Sequence, residues 1–118
     1  MPRAKNSVAS RRRRKKVLKS AKGYWGAKSK LYRTAHEAMM KSLSYAYRDR
    51  RARKRDFRNL WITRIGIAVR NEGMPYNKFI KGLKDAGVEI NRKILAELAV
   101  NDHEAFTNLV KVSKESMN

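Results

Sequence analysis

The stretch YAYRDRRARKRDFRNLW, residues 45–61, raises the question on which the fold turns. It holds seven cations, Arg48, Arg50, Arg51, Arg53, Lys54, Arg55 and Arg58, answered only by Asp49 and Asp56. Ala and Arg favour helix, and no Gly or Pro interrupts. At about 100° per residue the cations point around the whole helix. A surface helix needs an apolar stripe toward its core, and before Phe57 this one has almost none. Seven like-charged pairs stand at i,i+3 or i,i+4 between residues 48 and 58, against two favourable ones, Asp49 with Arg53 and Arg53 with Asp56. The imbalance costs an isolated helix about 1 to 2.5 kcal/mol. A solvated, salt-bridged helix would need acids between its bases. A helix threaded among phosphates meets an anion on every face, and Arg adds bidentate contacts to phosphate oxygens.

The rest of the chain supports a polyanion partner. It has 118 residues, the usual size of one domain, with 30 Lys and Arg against 10 Asp and Glu, a net charge of +20. Residues 1–60 carry 21 cations and 3 acids, and residues 61–118 carry 9 and 7, so the first half holds +18 and the second +2. Such asymmetry points to nucleic acid, with an anionic membrane surface as the other candidate. There is no cysteine, which excludes disulfides and thiolate metal sites. No apolar run is long enough to span a membrane, and the N-terminus has no apolar segment for a signal peptide. A cytoplasmic protein is expected.

Punctuation by Gly and Pro divides the chain. Residues 1–7 are expected to be an extended tail. Residues 8–22 suggest a short helix in which only Val17, Leu18 and Ala21 could pack, ended by Gly23. Gly23 and Gly26 then bracket Tyr24 and Trp25 in a bend. From Leu31 to about Asn71 the sequence predicts one helix of roughly 40 residues, about 60 Å long. Its last part has a core face on Phe57, Leu60, Trp61, Ile65 and Ala68, and Gly73 with Pro75 stops it. Three shorter helices follow. Tyr76, Phe79, Ile80 and Leu83 mark the first, which Gly87 ends. Ile94, Leu95, Leu98 and Val100 mark the second, with Asn91 as N-cap. Phe106, Leu109, Val110 and Met117 mark the third, with Asn101 and Glu104 at capping-box spacing. The expected fold is all-α: a long basic N-terminal helical extension, residues 1–58, plus a small globular α-helical domain, residues 59–118.

Nothing in the sequence assembles a catalytic site. His36 and His103 lie far apart without neighbouring nucleophiles or paired carboxylates. No phosphate-cradling Gly loop and no metal-ligand set occurs, so neither a metal nor a cofactor is expected. Tyr24, Trp25, Tyr32, Tyr45 and Tyr47 lie among the bases. Rings beside cations suit stacking on unpaired bases, the usual mode in RNA. Packing on other helices of the same chain is the alternative, and a strong one for Tyr45 and Tyr47.

Three segments carry a family resemblance: KGYWGAKSKLYRTA (22–35), YAYRDRRARKRDFRNLWITRI (45–65) and YNKFIKGLKDAGVEINRKILAELA (76–99). They closely resemble the bacterial large-subunit ribosomal protein L-twenty family, essentially end to end. Trp25 stands where the family commonly has Tyr, Gly66 replaces a usual Asn, and Asn91 a usual Asp. Asn caps a helix about as well as Asp. Gly66 is expected to loosen the long helix locally.

The resemblance implies direct binding to large-subunit ribosomal RNA, a need for the protein early in assembly, and neighbouring large-subunit ribosomal proteins as partners. In some members it also implies repression of the protein's own mRNA. It implies no enzymatic activity. By position, the arm's contacts would come from Arg11, Arg12, Arg13, Arg14, Lys15, Lys16, Lys19 and Lys22, then Tyr24, Trp25, Lys28, Lys30 and Arg33, then the seven cations from Arg48 to Arg58. Lys81, Lys84, Arg92 and Lys93 are the domain's candidates, with ordinary surface cations as the alternative.

A histone-like DNA-packing protein shares the charge and the lack of a catalytic site. Competition between structured RNA and duplex DNA separates the two. A membrane-active peptide needs a segregated apolar face, which residues 45–58 lack, so no membrane partner is expected.

Overall fold

The computed structural model describes residues 1–118. It contains helices α1 (Ser7–Ser20), α2 (Tyr32–Asn71), α3 (Tyr76–Asp85), α4 (Arg92–Asn101) and α5 (His103–Ser116), a 3-10 turn at Gly26–Ser29, and no strand. The expected all-α class holds. The chain divides into two compact units, Met1–Arg51 and Ala52–Asn118, with the division falling inside α2.

The first unit has almost no core. Its only buried hydrophobic residues are Ala21 and Ala35. Val17 and Leu18 are half-buried. α1 ends two residues earlier than expected, so Ala21 and Lys22 lie in the turn closed by Gly23 at φ +86. That left-handed backbone suits a residue without Cβ. The bend is tied by main-chain bonds, Tyr24 N–H to the Ala21 carbonyl at 3.1 Å and Leu31 N–H to the Ala27 carbonyl at 2.8 Å. The Thr34 hydroxyl donates to the carbonyls of Ala27 and Leu31, each at 3.1 Å. α2 begins one residue later than expected and continues through Gly66 without a break.

The second unit is built differently. Ile65, Ala68 and Val69 of α2, Met74, Phe79 and Leu83 of α3 and its approach, Leu95 and Ala96 of α4, and Phe106 and Val110 of α5 form one buried cluster. Phe79 and Phe106 meet with ring centroids 5.5 Å apart, inside the range for favourable aromatic pairs. α3 and α5 approach closely because Gly82 faces Ser113; a Cβ there would strike the Ser113 hydroxyl and carbonyl. The Ser113 hydroxyl, fully buried, donates to the Phe79 carbonyl at 3.0 Å, and Ser116 donates to the Gly82 carbonyl at 2.7 Å. No buried side-chain polar atom lacks a partner.

Several expected core positions are corrected. Phe57 and Leu60 are exposed by 46% and 40%, so the apolar face of α2 starts later. Trp61 is half-buried and packs on the rim of the core. Ile94 and Val100 are also exposed, because the covered face of α4 runs through Leu95, Ala96, Leu98 and Ala99, and Met117, just past the end of α5, is exposed as well. Asn91 caps α4 as expected, its side chain accepting from Ile94 N–H at 2.9 Å. The cap of α5 is Asp102, not Asn101: its carboxylate accepts from Ala105 N–H at 3.1 Å, and Asn101 belongs to α4.

Candidate nucleic-acid interface

The cations of the opening stretch lie within α2, and all seven are exposed. Internal neutralisation is weaker than the spacing suggested. Asp49 pairs with its neighbour Arg48 at 3.0 Å instead of with Arg53, and Asp56 forms no ion pair. Six of the seven cations are therefore left without an acid from their own chain. The pair that does form joins two exposed side chains, where such contacts contribute little.

Aromatic rings lie under two of these cations and under Lys41. Arg51 sits over the Tyr47 ring at 3.8 Å, Arg48 over Tyr45 at 4.4 Å, and Lys41 over Tyr45 at 5.7 Å. Tyr45 and Tyr47 are exposed, so they do not pack on another helix as the alternative had it. Cation and ring support each other at about 0.5 to 1 kcal/mol per exposed contact. They also present a flat guanidinium plane on which a base can stack.

The other basic runs are equally open. Arg11, Arg12, Arg13, Arg14, Lys15, Lys16 and Lys19 are exposed on α1, and Lys22, Lys28, Lys30 and Arg33 are exposed around the bend. Arg14 stacks on Tyr32 at 5.5 Å. Trp25 is 90% exposed, while Tyr24 is half-buried. A tryptophan this open in a bend held by main-chain bonds is free to stack on a base.

In the second unit, Lys81, Lys84 and Lys93 are exposed, and Arg92 is half-buried. Its Nε donates to the Tyr76 hydroxyl at 2.9 Å, joining α4 to α3. That contact has no local signal, because the partners lie 16 residues apart. A second contact was also missed. His103 Nε2 lies 3.3 Å from Glu72, whose backbone carbonyl accepts from Lys114 Nζ at 2.9 Å. His103 is thus not isolated from carboxylates, and the pair ties α5 to the end of α2. No group of three or more His, Asp or Glu side chains gathers as metal ligands. No helix is long and apolar enough to cross a membrane.

Exposed cations on every face of a helix, Arg48 and Arg51 among them stacked on tyrosines, and a small α-helical domain define a strongly basic all-α protein. A family model described as ribosomal protein L20 matches residues 3–109. The large ribosomal subunit protein bL20 of Carboxydothermus hydrogenoformans is 65% identical over 117 residues, covering 99% of this chain and all of the relative. That of Pelotomaculum thermopropionicum is 64% identical over the same coverage, and that of a Thermoanaerobacter species 60% identical over all of this chain. The chain belongs to the ribosomal protein L20 family. It is a structural component of the large ribosomal subunit, not an enzyme, and works in the cytoplasm with the ribosome.

Proposed function

We propose that this protein binds large-subunit ribosomal RNA directly and acts early in assembly of the subunit. Residues 1–58 form the RNA-binding extension, and residues 59–118 form the domain that selects the site. The observation that carries this is the band of exposed cations from Arg48 to Arg58, on all sides of α2 and with one ion pair among them. RNA phosphates supply the missing counter-charges, and the cations in turn neutralise RNA segments that would repel as they fold together. Phosphate contacts fix position without reading sequence, so site choice falls to the rigid surface of the domain.

Crosslinking in intact cells, followed by sequencing of the attached RNA, tests the proposal. Reads should concentrate at one region of the large-subunit RNA and appear already on immature particles. Reads spread evenly over RNA and DNA would favour the DNA-packing alternative. Repression of the protein's own mRNA is a further part of the proposal. It predicts a second cluster of reads in that message and higher reporter translation when the protein is depleted.

A further inference from the structure

Resting on the RNA-binding function proposed above, the structure also points to where in the domain an RNA nucleotide is held. A cleft of about 320 Å³ opens between α3, the following turn and α4. This is at the small end of ligand pockets. Ile80, Val88, Ile90 and Leu95 give it an apolar lining, and Lys84 and Arg92 stand on it as cations. Glu89 shares the lining but pairs with neither cation. Both positive charges therefore remain available.

Two further observations concern Arg92. The first is its bond to Tyr76, which occupies Nε and leaves both terminal nitrogens of the guanidinium to donate. An arginine fixed in this way presents a fork matched to a phosphate and loses less freedom on binding. The second is its place in the helix. Arg92 and Lys93 open α4, and the first turn contains no acid. Cations at that end oppose the helix macrodipole. A phosphate between them and the helix N-terminus would satisfy both. α1, α2 and α3 also open without an acid, so this feature agrees with a bound phosphate while the Tyr76 bond carries the assignment.

We propose that this cleft is a nucleotide subsite. It takes one unstacked nucleotide of the bound RNA, with the base against the apolar lining and the phosphate in the Arg92 fork that Tyr76 holds in place. Apolar side chains are known holders of extruded bases. Charge complementarity separates this occupant from an apolar side chain of a neighbouring protein, which would leave Arg92 and Lys84 unanswered.

The test uses the full-length protein and transcribed large-subunit ribosomal RNA, read by 2′-hydroxyl acylation and by filter binding. Wild type should change the reactivity of one unpaired nucleotide. Arg92→Lys and Tyr76→Phe should each restore that nucleotide and leave other protections in place. Arg92→Lys should weaken binding roughly 5- to 100-fold, as for loss of one bidentate contact. Its salt dependence should not change, because the charge is kept. The double variant should bind within about twofold of Arg92→Lys, since a lysine cannot use the Tyr76 bond. Ile90→Trp, which fills the cleft, should restore the same nucleotide. A reactivity pattern unchanged in Arg92→Lys, or additive losses in the double variant, overturns the subsite while RNA binding stands. A pattern that Ile90→Trp leaves intact likewise overturns it and assigns the cleft to a protein neighbour. Wild type that does not bind the RNA overturns both proposals.

Discussion

Residues 1–51 bury two hydrophobic side chains, both alanines, whereas residues 52–118 bury ten, including Phe79, Phe106, Leu95 and Ile65. Charge runs the other way. The first unit has 17 cations and 2 acids, a net of +15, and the second has 13 and 8, a net of +5. One chain thus uses two sources of stability. The second unit removes apolar surface from water, at roughly 25 cal/mol per Å². The first has too little such surface to offset the entropy of ordering its backbone, about 1 to 2 kcal/mol per residue. Under the function proposed above, bound RNA supplies the organisation that this unit's own core does not. Helix as a local state is common to both units, and only one carries its own reason for it.

The strongest challenge to this contrast is to remove the charge while keeping the helix. Replacing Arg48, Arg50, Arg51, Arg53, Lys54, Arg55 and Arg58 with Gln should flatten the slope of log affinity against log salt by about 5 to 6 units, at 0.7 to 0.9 per phosphate contact. Affinity for ribosomal RNA should fall by several orders of magnitude at low salt, with the melting of the domain unchanged. Filter binding across a salt series measures it. A slope that barely moves would place the phosphate contacts outside this stretch.

Amide hydrogen exchange on the RNA-free protein gives the next largest difference. Amides at Phe79, Leu95 and Val110 should exchange only through global unfolding. Those of residues 1–30 should exchange with opening free energies near zero, and α2 should lose protection gradually toward its N-terminus. Full protection of α1 without RNA would mean that the arm is stable by itself.

A paired substitution sharpens the comparison with one residue type. Leu95 is 1% exposed and Leu43 is 62% exposed, and both lie in helices. Leu95→Ala should destabilise the domain by about 2 to 5 kcal/mol, and Leu43→Ala should stay within about 0.5 kcal/mol. Trp61→Ala should fall between them, because Trp61 is half-buried. Chemical denaturation followed by circular dichroism reads all three. Equal effects at the two leucines would mean that the arm has a core after all.

The smallest expected effect is local. Asn91→Ala removes the acceptor for Ile94 N–H and should cost about 1 kcal/mol. Asn91→Asp should preserve the cap. A thermal melt separates them, and a neutral Asn91→Ala would show that water replaces the side chain there.

The sequence by itself determined the helices and the charge. Gly and Pro act on their own backbone, so Gly23, Gly73 and Gly87 marked ends that needed no knowledge of the rest of the chain. The start of α2 came within one residue, and the Asn91 cap could be read because donor and acceptor lie three residues apart. The exposure of the arm's cations followed from their spacing around the helix, since no core could lie on every side. Tertiary structure decided which apolar residues are covered. Phe57 and Leu60 continue the stripe of Ile65 in spacing, but α3, α4 and α5 cover only the later part. The same packing put the α5 cap at Asp102, where two helices meet with a single residue between them. It also made Gly82 a contact surface for Ser113 and set Arg92 against Tyr76. Those contacts join residues 31 and 16 positions apart. Local periodicity reports which face of a helix is apolar; only the arrangement of the other helices determines how much of that face is removed from water.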